Sequence, residues 1–236
     1  MELDIFKSTE YVCSKYRSSK KGWIEMMEET HVDTITLGMG CFWSPDARFG
    51  SFPGVLRTRT GYAGGTSLQP TYRNMGDHTE TIEVDFDASI ISLEEILLHF
   101  WKNHYPNRDN YKGTQYISLL CYRSDEQLQT IESVKARMEA VLGEEIETKI
   151  VPFQEFTPAE ERHQKYYLKR YPKALEQLKT IYTEEEELTD STFAARLNGF
   201  VKGFGTKEEL KQEIQKWNIE KKQRELLTDK LNAMKW

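Results

Sequence analysis

From Val32 to Val151 the chain alternates short β-branched runs with capped amphipathic segments, which restricts it to folds that lay helices against a sheet. Val32 to Leu37, Val55 to Tyr62, Thr81 to Asp87, Tyr116 to Tyr122 and Glu145 to Val151 read as strands. Ser92 and Glu95 have the spacing of a capping box, and Leu93, Ile96, Leu97, Phe100 and Trp101 form an apolar helical face behind it. Ser124 with Gln127 caps a second helix reaching about Leu142. Thr157-Pro158-Ala159-Glu160 reads as a further helix start, with Thr157 as cap and proline at the first helical position. Beyond about Leu175 the chain is rich in Lys and Glu and poor in β-branched residues, which predicts helices. There Thr183 to Glu187 is a solvated charge run and Asn198 to Gly205 a flexible break. The expected organisation is an N-terminal extension (1–30), an α/β domain (31–172) and a helical C-terminal extension (173–236).

With 236 residues the chain can bury a sizeable core. Its net charge of -6 is mixed in sign along the sequence, and no basic face is laid out for phosphate, so nucleic acid is not an expected partner. No apolar run approaches the roughly 20 residues that span a bilayer. Met1-Glu2-Leu3-Asp4-Ile5-Phe6 lacks the pattern of a secretory signal, so a cytoplasmic location without a membrane partner is the expectation. A monomer is expected, although the sequence does not give the oligomeric state. Cys13, Cys41 and Cys121 are too few and too scattered for a disulfide framework, which suits a reducing compartment. His78, His99, His104 and His163 show none of the paired short spacings of a zinc site, so no metal is expected. Gly61-Tyr62-Ala63-Gly64-Gly65 lacks the strand-to-helix context of a nucleotide loop, and its glycines read as turn residues.

The chemistry concentrates at Gly38-Met39-Gly40-Cys41-Phe42-Trp43, where a cysteine follows an apolar strand and precedes two large aromatic residues. A helix predicted from Phe42 to Phe49 puts Cys41 near a helix N-terminus, where unsatisfied N–H groups favour a thiolate, the nucleophilic form. The competing reading is a core cysteine packed between aromatic rings.

Downstream, Gly61-Tyr62-Ala63-Gly64-Gly65, Pro70-Thr71-Tyr72, Gly76-Asp77-His78-Thr79-Glu80 and Gly113-Thr114-Gln115-Tyr116 follow in fixed order. With Gly40-Cys41-Phe42-Trp43 they resemble the A-type peptide-methionine sulfoxide reductases from about Val32 to Tyr171. The resemblance implies the two-layer α+β sandwich of that family, with a ferredoxin-like core. It implies reduction of methionine S-sulfoxide, free and in proteins, by Cys41 through a cysteine sulfenic acid. Phe42 and Trp43 would form an apolar slot for the ε-methyl group. Glu80 matches the family's catalytic glutamate, and only that match separates it from Glu83; in an aromatic pocket its carboxyl would be desolvated and held protonated to donate to the sulfoxide oxygen. Tyr72 and Tyr116 match two phenols that hydrogen-bond near that oxygen. No bound cofactor is implied; thioredoxin, a glutaredoxin-type protein or a small thiol would be the reductant.

The sequence departs from the family at three places. Ser44-Pro45-Asp46 replaces a small residue followed by Ala-Glu; Pro45 fits only the first helical turn, with Ser44 as candidate cap. Tyr111 stands where many relatives carry Asp, and Asp109 is unassigned. No cysteine follows Cys121, so the sulfenic acid must be reduced by an external thiol or by Cys13 as candidate resolving residue, with Cys121 read as a core thiol. Two rival readings are a binding module that kept the slot without turnover and a thiol peroxidase or redox sensor.

Overall fold

The structure, a computed structural model, describes residues 31–107 and 113–236. The extension 1–30 with Cys13, and the positions Asp109 and Tyr111, lie outside the described residues. The strands are β1 (Val32–Met39), β2 (Val55–Ala63), β3 (Thr79–Asp87), β4 (Ser118–Tyr122), β5 (Lys149–Pro152) and β6 (Phe156–Pro158). The helices are α1 (Trp43–Gly50), α2 (Leu93–Lys102), α3 (Asp125–Leu142), α4 (Pro172–Leu178), α5 (Glu185–Thr189), α6 (Thr192–Lys202), α7 (Lys207–Lys216) and α8 (Lys221–Ala233).

The six strands form one sheet in the order β5-β4-β1-β3-β2-β6. All neighbours are antiparallel except β4 and β5. The chain order β1-α1-β2-β3-α2-β4 with spatial order β4-β1-β3-β2 is the split βαβ, ferredoxin-like arrangement, as expected. Period-two alternation gives the sheet two unlike faces. Ile35, Leu37, Val84 and Phe86 point into the core, against Phe49 of α1, Ile96, Leu97 and Phe100 of α2, and Ile131 and Val134 of α3. On the other face Arg57 and Arg59 pair with Glu83, Asp85 and Asp190, and Arg123 with Glu83.

The predicted caps of α2 and α3 form: Ser92 and Glu95 satisfy each other's backbone N–H groups, and the Ser124 hydroxyl accepts from the Gln127 N–H. Three local readings are corrected. Thr157 and Pro158 do not start a helix; they belong to edge strand β6, paired with Tyr62 and Gly61 of β2. Proline is tolerated on an edge because its missing donor faces away from the ladder. The N-cap of α1 is Phe42, with no side-chain cap from Ser44, although Pro45 does sit in the first turn. Asn198 to Lys202 are helical, so the break is confined to the residues after Gly203, whose φ of +95° ends α6.

Helix α6 crosses α1 at glycines. A Cβ at Gly50 would stand 2.9 Å from the Ala195 carbonyl oxygen, and one at Gly199 would stand 2.8 Å from that of Ala47. Through this close crossing runs a polar seam. Asp46, Thr58, Lys165 and Asn198 are all fully buried. Lys165 Nζ donates to Asp46 Oδ1 (3.1 Å) and to the Thr58 carbonyl, Asn198 Nδ2 donates to Asp46 Oδ2 (2.9 Å), and the Leu168 N–H donates to Asn198 Oδ1 (3.0 Å). Beyond the seam a second core forms from Leu168, Leu178, Phe193, Leu197, Leu210, Ile214, Leu227 and Leu231. The helices after residue 172 therefore bury apolar surface of their own while gripping the helix that follows Cys41.

Candidate active site

Strand β1 ends at Met39, and Gly40, with a φ of +85°, turns the chain out of the sheet. Cys41 follows in that turn, one residue before the N-cap of α1, and is exposed. Phe42 is buried and Trp43 half-buried, so the thiol stands at the rim of an apolar wall. Tyr72 stacks on Phe42 with ring centroids 6.4 Å apart.

Strand β3 brings in the acid. Glu80 pairs with Tyr62 and shares the inward face with Ile82 and Val84, whereas Glu83 lies on the outer face and binds Arg59 and Arg123. Glu80 is 1% exposed. Its Oε2 accepts the Phe42 N–H (3.1 Å) and its Oε1 accepts Gln115 Nε2 (2.9 Å). A carboxyl oxygen has two acceptor positions, so these bonds leave room for a proton. Gln115 and Tyr116 come from the short 3-10 turn Gly113–Tyr116, not from the buried strand predicted there, which begins at Ser118.

The electrostatics link four groups. Burial pushes the Tyr72 and Tyr116 phenols up, and the charges of Glu80 and Cys41 push both further. The phenols are hydrogen-bonded to one another and remain donors at neutral pH. Burial also pushes the Cys41 thiol up; the Trp43 N–H opposes this and the Glu80 charge adds to it. Cys41 does stand next to the N-terminus of α1, where the Trp43 N–H favours its anion, while desolvation and the neighbouring Glu80 charge favour the thiol. Moving one proton from Cys41 to Glu80 gives a thiolate and a carboxylic acid with no change in the site's net charge. Cys121, in β4 opposite Thr36, is buried and its thiol is pushed up to about 11 by desolvation.

His163, Tyr166 and Glu160 also build this site, without a sequence motif that marks them. Trp43 lies flat against Tyr166, centroids 3.9 Å apart, and stacks on His163 at 5.8 Å. Trp43 Nε1 donates to His163 Nδ1 (3.1 Å), while Arg162 Nε lies 3.0 Å from Nε2. A neutral imidazole accepts at one nitrogen only, so a given tautomer makes just one of these two bonds. Burial and the Arg162 charge hold the ring's pKa below its ordinary value. Glu160 accepts the Tyr62 hydroxyl (2.8 Å) and the Tyr72 N–H (3.2 Å), tying the Tyr72 loop to the sheet edge. These contacts join segments about a hundred residues apart, which no local pattern signals. Glu80 did carry a signal: alternation with Ile82 and Val84 puts it inward and Glu83 outward.

Comparison with known proteins fits this geometry. The sequence model of the peptide methionine sulfoxide reductase family matches residues 33–196, well over half of the chain. The chain belongs to that family. A peptide methionine sulfoxide reductase of Drosophila melanogaster is 40% identical over 193 residues, covering 81% of this chain and 77% of its own length. One from Methanococcus maripaludis is 38% identical over 148 residues, covering 59% of this chain and 94% of its own. Among solved structures, Mxr1 from Saccharomyces cerevisiae in reduced form superposes with a TM-score of 0.56 at 29% identity, covering 61% of this chain and 88% of that one. Methionine sulfoxide reductase A of Corynebacterium diphtheriae gives 0.53 at 29%, covering 62% and 78%. The protein is an oxidoreductase that returns methionine sulfoxide to methionine.

Proposed function

We propose that Cys41 is the nucleophile and Glu80 the proton donor in the reduction of methionine S-sulfoxide, free and within proteins. The observation that carries this reading is the meeting of an exposed thiol, a buried carboxyl and two protonated phenols at one end of the sheet. The sulfoxide methyl packs on Phe42 and Trp43. Tyr72 and Tyr116 donate to the sulfoxide oxygen as charge builds on it. Cys41 sulfur bonds to the sulfoxide sulfur, Glu80 protonates the oxygen, and methionine leaves as the oxygen ends on Cys41 as sulfenic acid. The substrate sulfur is reduced by two electrons and the cysteine sulfur is oxidised by two.

Turnover then needs two thiol equivalents from outside, which restore Cys41 and release water and a disulfide. Thioredoxin, a glutaredoxin-type protein or a small thiol fits this role, and the burial and raised pKa of Cys121 argue against it as the resolving thiol. Cysteine usage favours a reducing, cytoplasmic setting.

The test is a single turnover without reductant. Mixing the protein with methionine S-sulfoxide is expected to release about one methionine per chain and consume about one thiol, with a sulfenic acid trapped at Cys41. Loss of two thiols would make Cys13 or Cys121 the resolver. Absence of methionine would overturn the catalytic assignment.

A further inference from the structure

Behind the aromatic wall, the C-terminal helices create a second recess. Tyr167, Arg170, Tyr171, Val201 and Lys202 line an open cleft of about 530 Å³. Val201 and Lys202 lie past residue 196, where the match to the family's sequence model ends.

Its chemistry is cationic and aromatic. Lys202 Nζ sits 4.5 Å from the centre of the Tyr167 ring, and the Arg170 guanidinium 5.7 Å from that of Tyr166. Both cations are exposed, and among the described residues neither is held in an ion pair. The neighbouring Lys169, by contrast, is already bound to Glu185 (2.7 Å). In a chain of net charge -6, two cations on one rim without carboxylate partners are available to an external anion.

A run of ring contacts leads from the substrate slot to the cleft. Trp43 stacks on Tyr166 at 3.9 Å, Tyr166 meets Tyr167 edge-on at 5.4 Å, and Tyr167 carries Lys202. Laid end to end these contacts match about four residues of extended peptide at roughly 3.4 Å each.

We propose that this cleft is a subsite for an acidic side chain of the oxidised polypeptide, an Asp or Glu two to five residues from the methionine sulfoxide held on Trp43. The inference rests on the reading of Phe42 and Trp43 as the slot. Arg170 and Lys202 receive the carboxylate while the Tyr166 and Tyr167 rings support the intervening chain.

The experiment compares amidated peptides with one central methionine sulfoxide and either Asp or Asn at each flanking position, assayed with dithiothreitol. The expected result is a KM about threefold lower for the Asp peptide at one or two positions, the scale of an exposed ion pair. The preference should vanish at roughly 1 M salt, where the screening length falls to about 3 Å. The double variant R170Q/K202Q is expected to make the two KM values equal, with its thermal melting unchanged. A preference for Asp that persists in the double variant, or no preference in the wild type, overturns the subsite. A peptide without side-chain carboxylates but with a free C-terminus separates the two sources of the anion; preference for it alone also overturns the side-chain assignment. Anisotropy of the same labelled peptides keeps the underlying reading separate: Asp-dependent binding without reduction would uphold the cleft and sink the slot's catalytic role. Reduction without discrimination would do the reverse.

Discussion

Two polar regions flank helix α1, and they are built on opposite terms. Behind the helix, Asp46 is fully buried with the ammonium of Lys165 and the amide of Asn198 on its two oxygens. In front of it, Glu80 is nearly as buried but accepts from a backbone N–H and a glutamine amide, beside an exposed thiol and two half-exposed phenols. In the seam the carboxylate meets an ammonium at 3.1 Å. At the site, neutral donors meet Glu80 beside the thiol, an arrangement that suits the proton transfer proposed for reduction of a sulfoxide. Burial of a carboxyl group does not decide its role; the charge of what meets it does.

Substitutions at the two carboxyl regions should separate these roles. E80Q keeps a side chain of the same shape and is expected to slow reduction by about 10²–10⁴-fold, the range of a general acid, with denaturation midpoints nearly unchanged. Equal rates for mutant and wild type across the pH range would remove Glu80 from the mechanism. K165M leaves the Asp46 carboxylate buried without its cation and should cost about 3–5 kcal/mol in urea unfolding. If that loss is absent, the seam is not the anchor described. N198A removes one donor from Asp46 and the acceptor of the Leu168 N–H, for a smaller loss of about 1–3 kcal/mol.

The smallest effect is in the thiol itself. Alkylation of Cys41 by iodoacetamide, followed by mass spectrometry of its peptide, should rise with pH through an apparent pKa above the ordinary thiol value. Thiolate is the form that reacts, so a raised pKa means slower alkylation at neutral pH. E80Q removes the negative charge that raises the thiol, so the profile should shift to lower pH. The mutant would then alkylate faster while reducing sulfoxide more slowly. A shift to higher pH, or none, would break the coupling between the two groups.

Periodicity and caps in the sequence determined strands β1 to β5, helices α2 and α3, and the helical tail, because side-chain alternation and the Ser92 and Ser124 hydroxyls act within a few residues. The ordered motifs determined the family and pointed to Cys41 as the nucleophile proposed above. Thr157 and Pro158 went to a strand because Tyr62 offered pairing and Glu160 was drawn to the Tyr62 hydroxyl. Asn198 to Lys202 stayed helical because α6 packs Gly199 against α1. Only tertiary structure decided that Lys165 pairs with Asp46, that His163 and Tyr166 pack on Trp43, and that Val201 and Lys202 meet Tyr167, Arg170 and Tyr171 in an open cleft. Charge placement and ring stacking join residues distant in the chain, and their energies depend on distance and burial, which a linear sequence does not specify.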